Sequence, residues 1–118
     1  MAKGDDIEKR LVLFAVRIIK LCNSLPNTPV GRHFSGQLVR SGSSPALNYG
    51  EARSAESRRD FIHKMRIVHK ELNESRINLE IIELSELISA KKLGDIRDEC
   101  DQLCRIIGKS ISTALEKR

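Results

Sequence analysis

Phe61, Met65, Val68, Leu72, Ser75, Leu79 and Ile82 recur at spacings of 4, 3, 4, 3, 4 and 3 residues. Only a helix, with 3.6 residues per turn, gathers such positions onto one face. The seam predicts a helix that follows Ser54 or Ser57 and runs to about Ile88, a rod of roughly 48 Å at 1.5 Å per residue. Ser57 with Asp60 three residues later reads as its capping box. A rod of this length with one apolar face is stable only when other helices cover that face.

The rest of the chain supplies them. Ile7, Leu11, Phe14, Ile18, Leu21 and Leu25 place a first helix over about Asp6 to Leu25, with Asp5, Asp6 and Glu8 at the positive end of its dipole. Pro26 and Pro29 end it in a PNTP turn. Thr28 as N-cap and Pro29 at the first helical position then open a second helix, whose inward face is read as Val30, Phe34, Leu38, Pro45 and Tyr49. After the seam helix, SAKKLGD reads as a break at Gly94. A fourth helix follows over about Ile96 to Glu116, with Ile96, Cys100, Leu103, Ile107, Ile111 and Ala114 inward. Aromatic residues make up 3% of the chain and Trp is absent, which excludes a β-sandwich or barrel. The expected fold is all-α: one domain over residues 1–118, an antiparallel up-and-down four-helix bundle.

Two features fit that bundle less simply. The apolar faces of helices one and three, the latter with a second seam of Ile77, Ile81, Leu84 and Ile88, are wider than one neighbour covers. Either each helix meets two neighbours or the excess is buried between subunits, and the second reading is favoured. The stretch RSGSSPALNYGEARSAES, residues 40–57, crowds proline, glycine and serine into the second helix. Pro45 removes a backbone donor and clashes with the Ser41 carbonyl, so a kink at Pro45 is expected, with the hydroxyls of Ser43 and Ser44 serving freed backbone groups. Gly42 and Ala46 would admit a close neighbour, and Gly50 suggests a packing contact or a local helix end. The alternative is an anion-binding notch that uses Arg40 and Arg53.

Charge is unevenly spread. The chain carries a formal +5, and Arg32 to Lys70 holds eight cations against three acids while the remainder balances. Arg40, Arg53, Arg58, Arg59, Lys64, Arg66 and Lys70 are the candidate contacts to nucleic-acid phosphates. By helical phase Arg59, Arg66 and Lys70 share a face, whereas Arg58 and Lys64 point elsewhere. An ordinary solvated surface is the competing reading, and no interleaved aromatic supports base stacking.

The runs QLVRSGSSPALNYGEARSAESRRDF, KELNES, NLEII and LGDIRDECDQLCRIIGKSI resemble the bacterial four-helix bundle proteins encoded in ribosomal RNA intervening sequences. That family includes the accessory variability-determinant proteins of diversity-generating retroelements. The pattern falls on Arg40, Ser41, Pro45, Asn48, Gly50, Glu51, Arg53, Ser57 and Phe61, with Glu71 and Glu74 as the acidic pair of the third helix. The chain departs from it at Ile77 and Asn78, where many relatives are aromatic, and at NYGEA. The resemblance implies a ring-shaped homopentamer; retroelement members bind nucleic acid and a reverse transcriptase.

Other chemistries find little footing. The only approach to a di-iron motif is Asp60-Phe-Ile-His63, and His63 and His69 lie about 120° apart on a helix. No serine sits in a nucleophile frame, and Glu71 and Glu74 read as ion-pair partners of Lys70 or of cations on another helix. Cys22, Cys100 and Cys104 cannot all pair within one chain, and Cys100 and Cys104 read as core packers. No secretory signal or membrane span is read, so reduced thiols and a cytoplasmic location are expected. The expectation is a non-enzymatic oligomeric accessory protein without metal or cofactor, binding RNA or DNA, or else an interaction scaffold, for example for a reverse transcriptase.

Overall fold

The computed structural model describes residues 3–117. Four helices follow one another: α1 (Lys3–Cys22), α2 (Pro29–Arg53), α3 (Arg58–Leu84) and α4 (Ala90–Glu116), with no strand among the described residues. Each packs on its sequence neighbour, most extensively α2 on α3, and α1 closes the ring of four against α4. The chain is thus an up-and-down four-helix bundle, 48 × 23 × 22 Å. α1 and α3 sit at diagonally opposite corners, with no close approach of their backbones.

The seam that defines α3 is its buried face: Met65, Val68, Leu72, Ser75, Leu79 and Ile82 are fully enclosed, and Phe61 packs half-buried at one end. Against it lie Leu11, Phe14 and Ile18 of α1, Leu38 and Tyr49 of α2, and Leu93, Ile96, Cys100, Leu103 and Ile107 of α4. Ile111 and Ala114 are half-buried. Val30, expected inward, is 54% exposed. Gly31 takes its place against the preceding turn, where a Cβ would stand 1.8 Å from the Pro26 carbonyl oxygen. Thr28 caps this helix start by accepting from the Gly31 amide at 3.1 Å.

α2 continues unbroken through Pro45, which is itself buried. The neighbouring hydroxyls do not serve the Ser41 carbonyl that Pro45 leaves without its usual donor. Ser43 donates instead to the Val39 carbonyl, and Asn48 donates to the Ser44 carbonyl (3.0 Å) and hydroxyl (2.8 Å), bracing the turns on either side. The Ser41 hydroxyl accepts from Ser75 of α3 at 2.9 Å inside the core. Gly42 allows the close approach expected of it, since a Cβ there would lie 2.8 Å from Ile18 of α1. Gly50 differs from expectation: it neither ends the helix nor meets anything within 4 Å.

The helix ends shift in three places. α1 stops at Cys22, before Leu25. Ser57 caps α3 through the Asp60 amide at 3.0 Å, and α3 stops at Leu84 rather than Ile88. The turn there passes through Glu86 at φ 59°, a left-handed conformation no helix can contain, and Ile88 folds back into the core from the turn. Gly94 lies inside α4, which begins six residues earlier than the sequence suggested. A helical glycine costs about 1 kcal/mol, which the full burial of the adjacent Leu93 offsets.

Glu71 is the one buried charged side chain among the described residues. Arg40 holds it with Nη1, 2.9 and 2.7 Å from its two oxygens, while Nη2 pairs with Glu74 and reaches Gln37 at 3.4 Å. The bonds to Glu74 and then Glu71 raise the Arg40 pKa further. On the far side Arg10 clamps α1 to α4 through Glu99 (3.1 and 2.6 Å) and Gln102 (3.2 Å).

Arg40→Ala leaves Glu71 buried and unpaired. Because Arg40 is half exposed, the expected loss in urea unfolding is about 1–2 kcal/mol, below the 3–5 kcal/mol of fully buried pairs. Arg40→Met with Glu71→Leu should recover most of it. Gly31→Ala should cost about 2 kcal/mol or more, since the obstacle is backbone. Gly36→Ala, with open space around it, should gain up to about 1 kcal/mol.

Candidate nucleic-acid interface

The seven candidate cations separate into two groups. Arg40 is taken by Glu71 and Glu74. Arg53 lies against α1, 2.8 Å from Asp5 and 3.2 Å from Glu8, and these carboxylates raise its pKa, Asp5 most. Lys64 pairs with Glu51 of α2 at 2.9 Å, which raises its pKa likewise. These three tie helices together, and the phosphate-binding notch imagined around Arg40 and Arg53 is occupied by the protein's own carboxylates.

Arg58, Arg59 and Arg66 are exposed and form no ion pair or side-chain hydrogen bond among the described residues. With Ile62 and His63 of α3 and Ala114 and Leu115 of α4 they line one groove of about 430 Å³. Arg58, which helical phase alone had turned away from Arg59 and Arg66, joins them. The groove lies between two antiparallel helices, and the last turn of α4 provides its second wall. Lys70 is exposed one turn beyond Arg66, outside the groove lining.

Local electrostatics explain why arginines can stand here unpaired. Arg58 and Arg59 occupy the first turn of α3, where a cation opposes the helix dipole, and Arg66 follows two turns on, but all three also adjoin the C-terminal end of α4, whose last turn carries no basic residue. The α4 dipole steadies the positive charge without engaging the guanidinium donors. The groove therefore presents three forked donors, an imidazole and an apolar floor, a set suited to phosphate oxygens. His63 and the α4 wall were not among the sequence candidates. Their only signal was that an antiparallel bundle sets the start of α3 beside the end of α4.

A second face of α3 is informative as well. Arg59, His63, Arg66, Lys70, Ile77, Ile81 and Leu84 fall on one outward stripe by their spacing. Its first half is basic; its second half is apolar and open, with Leu84 75% exposed. On the opposite corner of the bundle Val12, Val16 and Ile19 of α1 are also exposed, and Val39 and Leu47 stand out from α2. Among the described residues no three His, Cys, Asp or Glu side chains converge as a metal site, and no helix is long and apolar enough to cross a membrane. Cys100 is fully buried and donates to the Leu72 carbonyl at 3.4 Å, consistent with its reading as a core residue.

No curated protein matches the chain in sequence. Among solved structures, the chain is similar to a crystal structure of a protein of unknown function from the S23 ribosomal protein family of Bacteroides thetaiotaomicron. The two are 32% identical with a TM-score of 0.86, over 94% of this chain and 99% of that one. Residues 5–109 match the family model described as 23S rRNA-intervening sequence protein. Its match spans the stretch around Pro45, the acidic pair on α3 and most of α4, so the chain belongs to the 23S rRNA-intervening sequence protein family.

Proposed function

We propose that the protein is a non-enzymatic, oligomeric accessory protein that binds nucleic acid through the groove of Arg58, Arg59 and Arg66. The observation that carries this reading is the division among the cations. Arg40, Arg53 and Lys64 are spent on helix-to-helix ion pairs, whereas three arginines converge on one groove with their donors free. Each phosphate they neutralise releases condensed counterions, a sequence-independent source of affinity. The groove lining holds no aromatic side chain other than His63, so backbone contact is favoured over base stacking.

The oligomeric part of the proposal rests on the open apolar surfaces. They form two different patches at opposite corners, Val12, Val16 and Ile19 on α1 and Ile77, Ile81 and Leu84 on α3. Two unlike patches suit head-to-tail association, which closes into rings, better than a two-fold dimer. The homopentameric ring implied by the family resemblance is such an assembly. Several copies of a weak groove on one ring would add through multivalency.

The same patches favour one other reading: an oligomeric scaffold for another protein, such as a reverse transcriptase, with no nucleic-acid contact. The two part on a single comparison. Arg58→Glu with Arg59→Glu should weaken binding to structured RNA or duplex DNA by about tenfold or more, with particle mass by light scattering unchanged. Ile81→Glu with Leu84→Glu should reduce the mass toward that of one chain. Unchanged affinity in the arginine variant contradicts the groove and leaves the scaffold.

A further inference from the structure

A second cationic groove lies at the other end of the bundle, outside the basic stretch of the sequence. Arg17 and Lys20 of α1 and Lys92 of α4 converge over Leu21 and Ile96, around about 320 Å³. All three cations are exposed, and none forms an ion pair or side-chain hydrogen bond among the described residues. No carboxylate lines the groove. Lys20 has a structural reason to be there, in the last turn of α1. Lys92 does not: it stands in the first turn of α4, where a cation opposes the dipole and no acid offsets it.

The spacing of the two grooves is set by α4, which walls both. From Ile96 to Ala114 is about 27 Å of helix, and from Lys92 to Leu115 about 35 Å. One turn of duplex is about 34–36 Å. We infer that the protein binds a nucleic-acid duplex across α4, with phosphates one helical turn apart seated in the Arg58/Arg59/Arg66 groove and the Arg17/Lys20/Lys92 groove. The inference rests on the first groove's role proposed above and adds the second contact and the duplex.

The surface between the grooves fits a duplex better than a single strand. Arg105 and Lys109 are exposed on α4 between them, and Asp95 and Asp98 are exposed beside the second groove. A single strand tracking along α4 would carry its phosphates past these carboxylates. A duplex seated one turn apart lays its major-groove opening, about 12 Å wide, over these carboxylates and its opposite backbone over Arg105 and Lys109. Neither groove holds Phe, Tyr or Trp for a stacked base.

Anisotropy with hairpin-closed DNA duplexes of about 8 and about 20 base pairs tests this, the shorter being less than one turn. Arg17→Glu with Lys92→Glu should weaken the long duplex by tenfold or more, as Arg58→Glu with Arg59→Glu does, and the short one by no more than about threefold, because the first groove still takes it. Arg58→Glu, Arg59→Glu and Lys92→Glu place acids in the first turns of α3 and α4, where they suit the helix dipoles, and Arg17 is exposed before the last turn of α1, so folding should survive, with circular dichroism as the check. Arg17→Gln with Lys92→Gln gives the same test without reversing charge. A control of equal charge change, Lys9→Glu with Arg32→Glu outside both grooves, should stay within about threefold of wild type. If the Arg17/Lys92 variant behaves like this control while the Arg58/Arg59 variant loses binding, the second groove is refuted and the first stands. Equal losses on short and long duplexes refute the bridging. Full affinity in the Arg58/Arg59 variant refutes the first groove and this inference with it.

Discussion

The buried carboxylate of Glu71 constrains how α2 and α3 can meet. A charge enclosed to this degree is tolerable only with a partner in place, and Arg40 is that partner. One turn further along the same contact, Ser41 and Ser75 satisfy each other inside the core. Sliding α3 along α2 would orphan all of these groups together, so they fix register where the purely apolar contacts around them would allow slippage. Pro45 is buried in the same stretch, and Gly42, next to Ser41, lets Ile18 of α1 approach closely. Within residues 40–57, Ser41 and Gly42 thus have their explanation in packing, since there α2 meets α3 and α1 at once, while Ser54 and Ser57 cap the helix ends and Gly50 meets nothing within 4 Å.

That packing decides which charges remain for function. With α2 and α3 in register, Arg40 turns toward Glu71 and Glu74, Lys64 toward Glu51, and Arg53 reaches back to the start of α1. What is left over at the start of α3 points past α4 into solvent. The same helix carries its basic residues in the first half of its outward stripe and its open apolar residues in the second. A surface for anions and a surface for another copy can therefore occupy one rod without competing.

Periodicity made much of this legible beforehand. The α3 seam, the Thr28 and Ser57 caps, the four-helix order and the ion pairing of Glu71 and Glu74 all follow from spacing and residue chemistry, although Lys70 stood beside the cations of another helix as their partner. The misreadings share a cause, since spacing gives a residue's face but not what stands opposite it. Val30 follows the period yet is exposed because Gly31 occupies the contact. Gly94 looks like a stop until the burial of Leu93 is seen. Ile88 continues the apolar period of α3 although the chain has already turned at Glu86. Arg40, Arg53 and Lys64 are indistinguishable in sequence from Arg58, Arg59 and Arg66, and only the carboxylates brought to them by the fold tell them apart. Arg17, Lys20 and Lys92 gave no signal at all, because their grouping joins residues more than 70 positions apart in sequence.

The most direct test is the salt dependence of wild-type binding to labelled structured RNA and to duplex DNA by fluorescence anisotropy. The account predicts saturable binding whose logarithm falls linearly with the logarithm of salt concentration, with a slope of about −3 or steeper from the three arginines of the first groove. No binding at low salt, or binding indifferent to salt, would contradict it.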